Sequence, residues 1–352
     1  MAPPSPRTAE QSSCPVCRGE SCRGRLDSPD LLLSVPGLFR YVECTDCGTI
    51  FQNPRVRDED LPLCYPDDYY THGGEAWTPT PAPPGSLRER LGRAIRHAAD
   101  GSADRPPSPL LRTAGHVLAW SPLLRRRARL GLVDPLAPPP HRGGRCLEVG
   151  PGRGLDLLCL RLLGWDARGL EPDPVAAEAA RLTSGCEVRL GTLESTDYPA
   201  EHFDLVYMRH VFEHMPDPAR SLRRCRELLE PGGRLVLLYP NPRALTARCY
   251  GSLSPVWDPP RHLVLPSVPA IVQLVARSGF VDAAVRTVAA QAAVNAEAAR
   301  RRRRGRHWDP SAPSRLRPVD RAFALAESTL VGLGWPVGEE VLLQARKPHA
   351  VA

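Results

Sequence analysis

Leu147-Glu148-Val149-Gly150-Pro151-Gly152-Arg153-Gly154 is the stretch from which this chain is read. An apolar run, Cys146 to Val149, ends in a glycine-rich turn, and Leu155 to Leu163 then repeats apolar residues at helical spacing. Strand, tight turn and helix in that order bring a ligand against bare backbone, with the positive end of the helix beside it. Further apolar runs at Ala167 to Leu170, Glu187 to Leu190, Leu205 to Met208 and Leu235 to Tyr239 supply four more strands. Helical stretches at Leu155 to Leu163, Val175 to Thr183 and Ala219 to Leu229 lie between strands, and Phe280 to Val288 and Val341 to Arg346 add two last ones. Strands alternating with helices build βαβ units. The expected fold is therefore α/β, a doubly wound seven-stranded Rossmann-like sheet.

The spacing of the turn narrows its ligand. A dinucleotide fingerprint runs G-x-G-x-x-G, and its third glycine would fall at Leu155. This chain has G-x-G-x-G instead, preceded by Glu148. An acidic loop of that shape disfavours a pyrophosphate and suits a ligand with an ammonium group, a sulfonium and an unphosphorylated ribose. S-adenosylmethionine meets that description. Glu171 ends the second strand, where a carboxylate can accept both ribose hydroxyls. Pro172 and Pro174 stiffen the adenine side, and in Gly191-Thr192-Leu193-Glu194 the backbone at Leu193 can meet the adenine edge. Arg209, ending the fourth strand, joins the cofactor residues.

With 352 residues, 42% of them hydrophobic and 24% charged, the chain has material for a large domain and a smaller one, which excludes a lone module and a wholly disordered polypeptide. No stretch approaches 18 consecutive apolar residues, and Met1 to Ser13 is polar, so a cytoplasmic protein is expected. The net charge of +7 rests on 46 basic residues of which only Lys347 is lysine. That bias resembles GC-rich codon usage, so the basicity is not read as a membrane or nucleic-acid signal. Arg300 to Arg304, with Arg306, His307 and Trp308, is the best nucleic-acid feature. It sits in an Ala- and Arg-rich insertion and reads as a solvated or disordered loop.

Six of the 11 cysteines fall in the first 64 residues. A disulfide framework is not expected in a reducing compartment. Cys14-Pro-Val-Cys17 and Cys44-Thr-Asp-Cys47 form two knuckles, each presenting two thiolates, which together supply the tetrahedral set of a structural zinc. Leu31 to Val35 and Phe39 to Val42 read as short strands, giving a zinc ribbon over residues 1–72 with too little core to fold without its metal. Unmetallated buried thiols are the alternative. Residues 73–140 form a proline-rich linker with helical pieces near Leu87 to Ala99 and Leu110 to Leu132. The second piece ends in Arg125-Arg126-Arg127 and reads as a helix packed on the main domain, ahead of a membrane-surface helix or a lid. The main domain then covers 141–352, with the basic insertion at 291–335.

From Arg145 to Lys347 the chain resembles class I S-adenosylmethionine-dependent methyltransferases. LEVGPGRG, GLEPDP, FDLVYMRHVFEHMPDP and LLEPGGRLVLLYPN come in the order of that family. CPVC, CTDCGTIFQNP, CYPDDYYTH and WDPPRHLVLPS are similar to methyltransferases carrying a zinc ribbon, which resemble the sugar C-methyltransferases of deoxysugar pathways. The resemblance implies that the first loop holds the methionine moiety and the acid after the second strand holds the ribose. It places Glu148, Gly150, Gly152, Gly154 and Glu171 on the cofactor.

Methyl transfer is an in-line displacement that needs an aligned nucleophile and, often, a base. In Met208-Arg209-His210-Val211-Phe212-Glu213-His214 the two histidines share a face if a helix begins there, and either can act as the base. The same letters match an inverted zinc-peptidase signature, but that motif belongs inside an active-site helix, and here His210 follows a buried strand. His210 can equally line or cap the cofactor site, whereas His214 matches a family position near the substrate. Beyond the fifth strand, Tyr239, Asn241, Arg261 and His262 lie in proline-rich loops of the kind that build acceptor pockets. His262 is a further candidate base. The sugar C-methyltransferases carry Glu-His where this chain has Arg261-His262, which weakens a ketosugar enolisation and favours an anionic group on the acceptor. Tyr69 and Tyr70 can cover the substrate or simply pack between domains.

The expected activity is methyl transfer from S-adenosylmethionine to carbon or oxygen of a small molecule such as a sugar nucleotide or secondary metabolite. The rivals are an RNA methyltransferase gripping its substrate with ribbon and arginine run, and a non-catalytic adenosylmethionine-binding scaffold.

Overall fold

Five short strands open the chain: β1 (Thr8–Ala9), β2 (Cys22–Ser28), β3 (Phe39–Cys44), β4 (Ile50–Gln52) and β5 (Arg55–Val56). The computed structural model describes residues 5–66, 108–120, 143–310 and 314–349, together with 90–92, 94, 95, 98, 137, 138, 140, 141 and 312. Strands β2, β3 and β4 pair antiparallel in succession, and β1 pairs with β5. Leu31 to Val35, expected as a strand, is bent instead. The carboxylate of Asp30 accepts from the amides of Leu32, Leu33 and Val35 at 2.8, 3.0 and 3.1 Å, and this side-chain capture of the backbone competes with a strand ladder. Strand β2 takes its place. Its sequence, CRGRLDS, is mostly exposed and has no apolar alternation to announce it.

Residues 71–192 form one compact unit. Its described elements are α1 (Pro109–Ala119), β6 (Arg145–Val149), α2 (Leu155–Leu162), β7 (Asp166–Glu171), α3 (Pro174–Ser184) and β8 (Glu187–Leu190). Strands β6, β7 and β8 are parallel neighbours in that order. Asp173 caps α3 by accepting from Ala176 N at 2.7 Å, and Pro174 starts the helix with its φ already set. The helical piece expected over Leu110 to Leu132 is described only as α1; its arginine end lies outside the described residues.

The other unit combines residues 1–70 with 193–352. After residue 193 it contains β9 (Phe203–Arg209), α4 (Pro218–Leu228), β10 (Leu229–Pro240), α5 (Leu245–Tyr250), β11 (Val264–Leu265), α6 (Val268–Arg277), β12 (Val281–Val288), α7 (Ala292–Arg302), α8 (Pro318–Gly332) and β13 (Glu340–Arg346). Strand β10 runs parallel to β9 and antiparallel to β13, which in turn pairs antiparallel with β12. The fold has a seven-stranded mixed sheet, as the sequence leads one to expect.

The ribbon shares its core with the residues after 193. Strand β11 pairs with β4 and makes the ribbon sheet four-stranded, in the order β11-β4-β3-β2. Tyr41 and Ile50 pack with Ala244, Ala247, Val256, Trp257 and Leu265 in one buried cluster. The basic insertion is also structured. Ala292, Ala296, Ala298 and Ala299 are buried along α7, a composition with high helix propensity. Arg300 reaches Asp320 on α8 through two hydrogen bonds, and Arg301 pairs with Glu297 at 3.6 Å. A solvated loop is not what residues 300–302 form.

Candidate active site

Within the unit of residues 71–192, the turn after β6 is built on left-handed glycines. Gly150, Gly152 and Gly154 have φ of 67°, 52° and 80°. A side chain at Gly154 would put its Cβ 2.7 Å from Ala180 Cα, so α2 approaches α3 over bare backbone. Gly150 N donates to Leu170 O at 2.8 Å, tying the turn to the end of β7. Glu171 is buried there. Its Oε2 accepts from Gly152 N at 3.0 Å and its Oε1 from Asp173 N at 3.1 Å. Burial pushes its pKa up while the two amides pull the other way. A carboxylate oxygen has two lone pairs, so each retains one that can take a ribose hydroxyl. Glu148 is buried at the end of β6, and Pro172 follows Glu171 at the exit of β7. The donor and acceptor set suits the ribose and methionine ends of S-adenosylmethionine.

Within the other unit, a histidine cluster follows β9 and the loop before β11. His210, with φ of 54°, sits in the left-handed region that residues other than glycine seldom enter. Glu213 and His214 occupy a 3-10 turn, Phe212–His214. The Glu213 carboxylate is fully buried, and its Oε1 lies 3.4 Å from His210 Nδ1, 3.7 Å from His262 Nε2 and 4.0 Å from His214 Nε2. The His214 and His262 rings meet edge to face, with centroids 5.0 Å apart. His262 Nδ1 donates to Val256 O at 2.7 Å, and His214 Nδ1 donates to Arg261 O at 2.9 Å. A carbonyl only accepts, so each Nδ1 carries a proton, and each Nε2 is turned toward Glu213.

Electrostatics separates the histidines. Burial lowers His214 to about 4, which the Glu213 charge only partly opposes, so it is neutral at physiological pH. Burial would also lower His210, but Glu213 and Glu340 prevail and raise it to about 9. Its Nε2 lies 2.9 Å from Glu340 Oε1. The His210 side chain is 38% exposed, so solvent weakens this pull, though not its direction.

The ribbon fixes His262. Gln52 Nε2 donates to the His262 carbonyl at 3.0 Å, and the single Tyr41 hydroxyl proton is shared between that carbonyl, also at 3.0 Å, and Trp257 O. Tyr65 brings its hydroxyl 3.0 Å from His214 Nδ1. Neither Tyr65 nor Glu213 is singled out by the sequence. The signals were present, Tyr65 beginning the YPDDYY run and Glu213 preceding His214, but only the fold joins them.

The remaining expected residues are placed as follows. Arg261, expected to meet an acceptor anion, is fully buried with Asp30 at 2.8 Å and Asp258 at 2.8 Å. Its charge is engaged by two carboxylates. Tyr239 is buried and donates to Pro266 O at 3.2 Å. Asn241 is buried and donates to Pro336 O and Gly338 O at 3.1 and 2.8 Å. Arg209 pairs with Glu340 at 3.4 Å, and Leu193 is buried. Tyr69 and Tyr70 lie outside the described residues.

The four ribbon thiols converge as one cluster whose sulfur atoms all lie within 4.8 Å of one another. Cys14 Sγ is 3.7 Å from Cys47 Sγ, and Cys17 Sγ is 3.5 Å from Cys44 Sγ. A tetrahedral zinc with bonds of about 2.3 Å sets its sulfurs about 3.8 Å apart, so the spacing suits that ion. Gly19 N points at Cys17 Sγ at 3.4 Å, the amide support a charged thiolate requires.

Comparison with known proteins places this geometry. Residues 123–285 match the family model described as a methyltransferase domain. The ubiquinone biosynthesis O-methyltransferase of Cereibacter sphaeroides strain ATCC 17025 is 37% identical over 126 residues, 34% of this chain and 51% of that protein. The one of Xanthomonas euvesicatoria pv. vesicatoria is 37% identical over 101 residues, 27% of this chain and 42% of that protein. The chain thus spans about half the length of the curated relatives it matches. A solved S-adenosylmethionine-dependent methyltransferase of Thermotoga maritima aligns with 63% of this chain and 89% of its own, at 22% identity and a TM-score of 0.42. Sheet, glycine turn and family match agree that residues 123–285 carry a methyltransferase domain of the class I, S-adenosylmethionine-dependent kind.

Proposed function

We propose that this chain transfers a methyl group from S-adenosylmethionine to an oxygen or carbon of a small-molecule acceptor. The observation that carries the reading is Glu171, a buried carboxylate held by the amides of Gly152 and Asp173 beside the bare glycine turn. Bound S-adenosylmethionine supplies a methyl group on a sulfonium. On this reading Glu171 accepts the ribose hydroxyls, Glu148 and the glycines take the methionine end, and Pro172, Leu193 and Arg209 border the cofactor. His214 and His262 turn Nε2 toward the acceptor's proton, and Tyr65 positions His214 through Nδ1. His210, drawn toward its cationic form by Glu213 and Glu340, orients Glu213 instead of acting as a base.

The relatives named as O-methyltransferases favour oxygen as the acceptor atom. Nothing in the cluster selects a sugar nucleotide. An anion on the acceptor does not draw on Arg261, since Asp30 and Asp258 already neutralise it. Arg300 and Arg301 are likewise paired internally, with Asp320 and Glu297. We further propose that Cys14, Cys17, Cys44 and Cys47 hold a structural zinc that fixes β2 to β4, and through Tyr41 and Gln52 the backbone of His262.

The test is transfer of isotopically labelled methyl from S-adenosylmethionine to a panel of hydroxylated small molecules. Glu171→Ala should raise the KM for S-adenosylmethionine, and His214→Gln should lower kcat with that KM nearly unchanged. Exchange of these two phenotypes would overturn the assignment of cofactor and acceptor residues.

A further inference from the structure

Glu213, His214 and His262 pose an electrostatic problem that their own hydrogen bonds do not solve. Both Glu213 oxygens are buried, and neither meets hydrogen-bond geometry with any donor. A buried carboxylate without donors is costly. Around its Oε1 stand His262 Nε2 at 3.7 Å and His214 Nε2 at 4.0 Å, too far to bond it. The Nδ1 protons of both rings are committed to Val256 O and Arg261 O and cannot serve Glu213 either. His210 Nδ1 flanks the same oxygen at 3.4 Å without meeting hydrogen-bond geometry, and its other nitrogen lies 2.9 Å from Glu340 Oε1. A donor-less buried carboxylate and two imidazole Nε2 atoms therefore converge on one small volume, an arrangement suited to a bound cation.

We propose that Glu213, His214 and His262 form a binding site for a divalent first-row transition cation, with the two Nε2 atoms and a Glu213 oxygen as ligands. The three ligand atoms lie within 4.8 Å of one another. Nitrogen and oxygen ligands at about 2.1 Å from a tetrahedral ion stand about 3.4 Å apart, so a small contraction closes the set. Metal-bound histidines donate their second nitrogen to a carbonyl or carboxylate, as both of these do to carbonyls. Two imidazoles and one carboxylate leave coordination positions open, as a catalytic site does and the closed four-thiolate ribbon does not. An acceptor hydroxyl entering an open position would be made more acidic. That use rests on the methyltransferase reading and, with the ion bound, replaces proton removal by His214 and His262, whose Nε2 lone pairs the ion takes; the binding itself does not rest on it.

Cobalt(II) is the probe, added to the full-length, zinc-loaded chain. The ribbon, already holding zinc through soft sulfur, should not take it. The expected result is one equivalent of cobalt(II) bound, with visible d–d bands and no sulfur-to-cobalt charge transfer. Glu213→Gln and His262→Gln should each weaken this at least about tenfold. No cobalt(II) bound, sulfur-type charge transfer, or binding undiminished in both variants would overturn the site. Should either variant fail to fold, proton NMR of the unaltered chain decides: cobalt(II) should shift the His214 and His262 rings most, and shifts centred elsewhere contradict the proposal. Calorimetry with S-adenosylmethionine on the cobalt-free sample separates the two claims, since failure there removes the methyltransferase reading and leaves the metal result standing.

Discussion

Asp30 and Arg261 face each other with no exposed side-chain surface, Arg261 Nη2 donating to Oδ1 at 2.8 Å and Nη1 to Oδ2 at 3.0 Å. The pair joins the ribbon to the loop carrying His262, and burial makes breaking it expensive. Asp30→Asn should destabilise the fold by about 3–5 kcal/mol, nearer the lower end because Asp258 remains on Arg261. Turnover should fall too, since the Arg261 carbonyl orients His214 Nδ1. Urea denaturation read alongside methyl transfer checks both effects.

Gly154→Ala tests the turn. Its Cβ would meet Ala180 Cα at 2.7 Å and Ala180 O at 2.8 Å, from a backbone at φ 80°. A loss of about 1–3 kcal/mol in stability is expected, together with weaker S-adenosylmethionine binding. Thermal denaturation and calorimetry measure the two, and a variant indistinguishable from the parent would contradict the close approach of α2 to α3.

Glu171→Gln keeps the shape but turns an amide nitrogen toward one of the two backbone donors it now accepts from. Cofactor affinity should drop by about 1–3 kcal/mol. Equilibrium dialysis with labelled cofactor gives the number.

Glu327, on α8, sets a pH dependence. It is fully buried, one oxygen accepting from Glu339 N at 3.0 Å and the other without a donor. Burial, with the nearby Glu339 charge, raises it to about 9 from an ordinary 4.5. A raised carboxyl is neutral in the fold and ionised when unfolded, so its contribution is intact below 4.5 and is lost as pH rises toward 9. Glu327→Gln should therefore melt higher than the parent at about pH 8, with the gap closing by about pH 4.5. A gap that widens on acidification would refute the assignment.

The seven-stranded sheet was legible because its strands carry buried apolar runs and its turns carry glycine. Strand β2 was not, since an exposed edge of arginine and glycine has no periodicity. Leu31 to Val35 looked like a strand because apolar composition cannot reveal that Asp30 captures three amides. Glu148, the glycines and Glu171 come from one βαβ segment, so local spacing exposed them. Tyr65 and His214 meet from 149 residues apart, a relationship only tertiary structure supplies. Arg261 shows the same limit: its charge could be read, but not the two carboxylates that consume it.

The central claim is that the glycine turn and Glu171 receive S-adenosylmethionine. Calorimetric titration of the full chain with S-adenosylmethionine, and in parallel with NAD, tests it most directly. The account predicts saturable binding of about one S-adenosylmethionine per chain, weakened by Glu171→Ala, and no heat from NAD. Binding of NAD in its place, or S-adenosylmethionine binding that ignores Glu171→Ala, would contradict it.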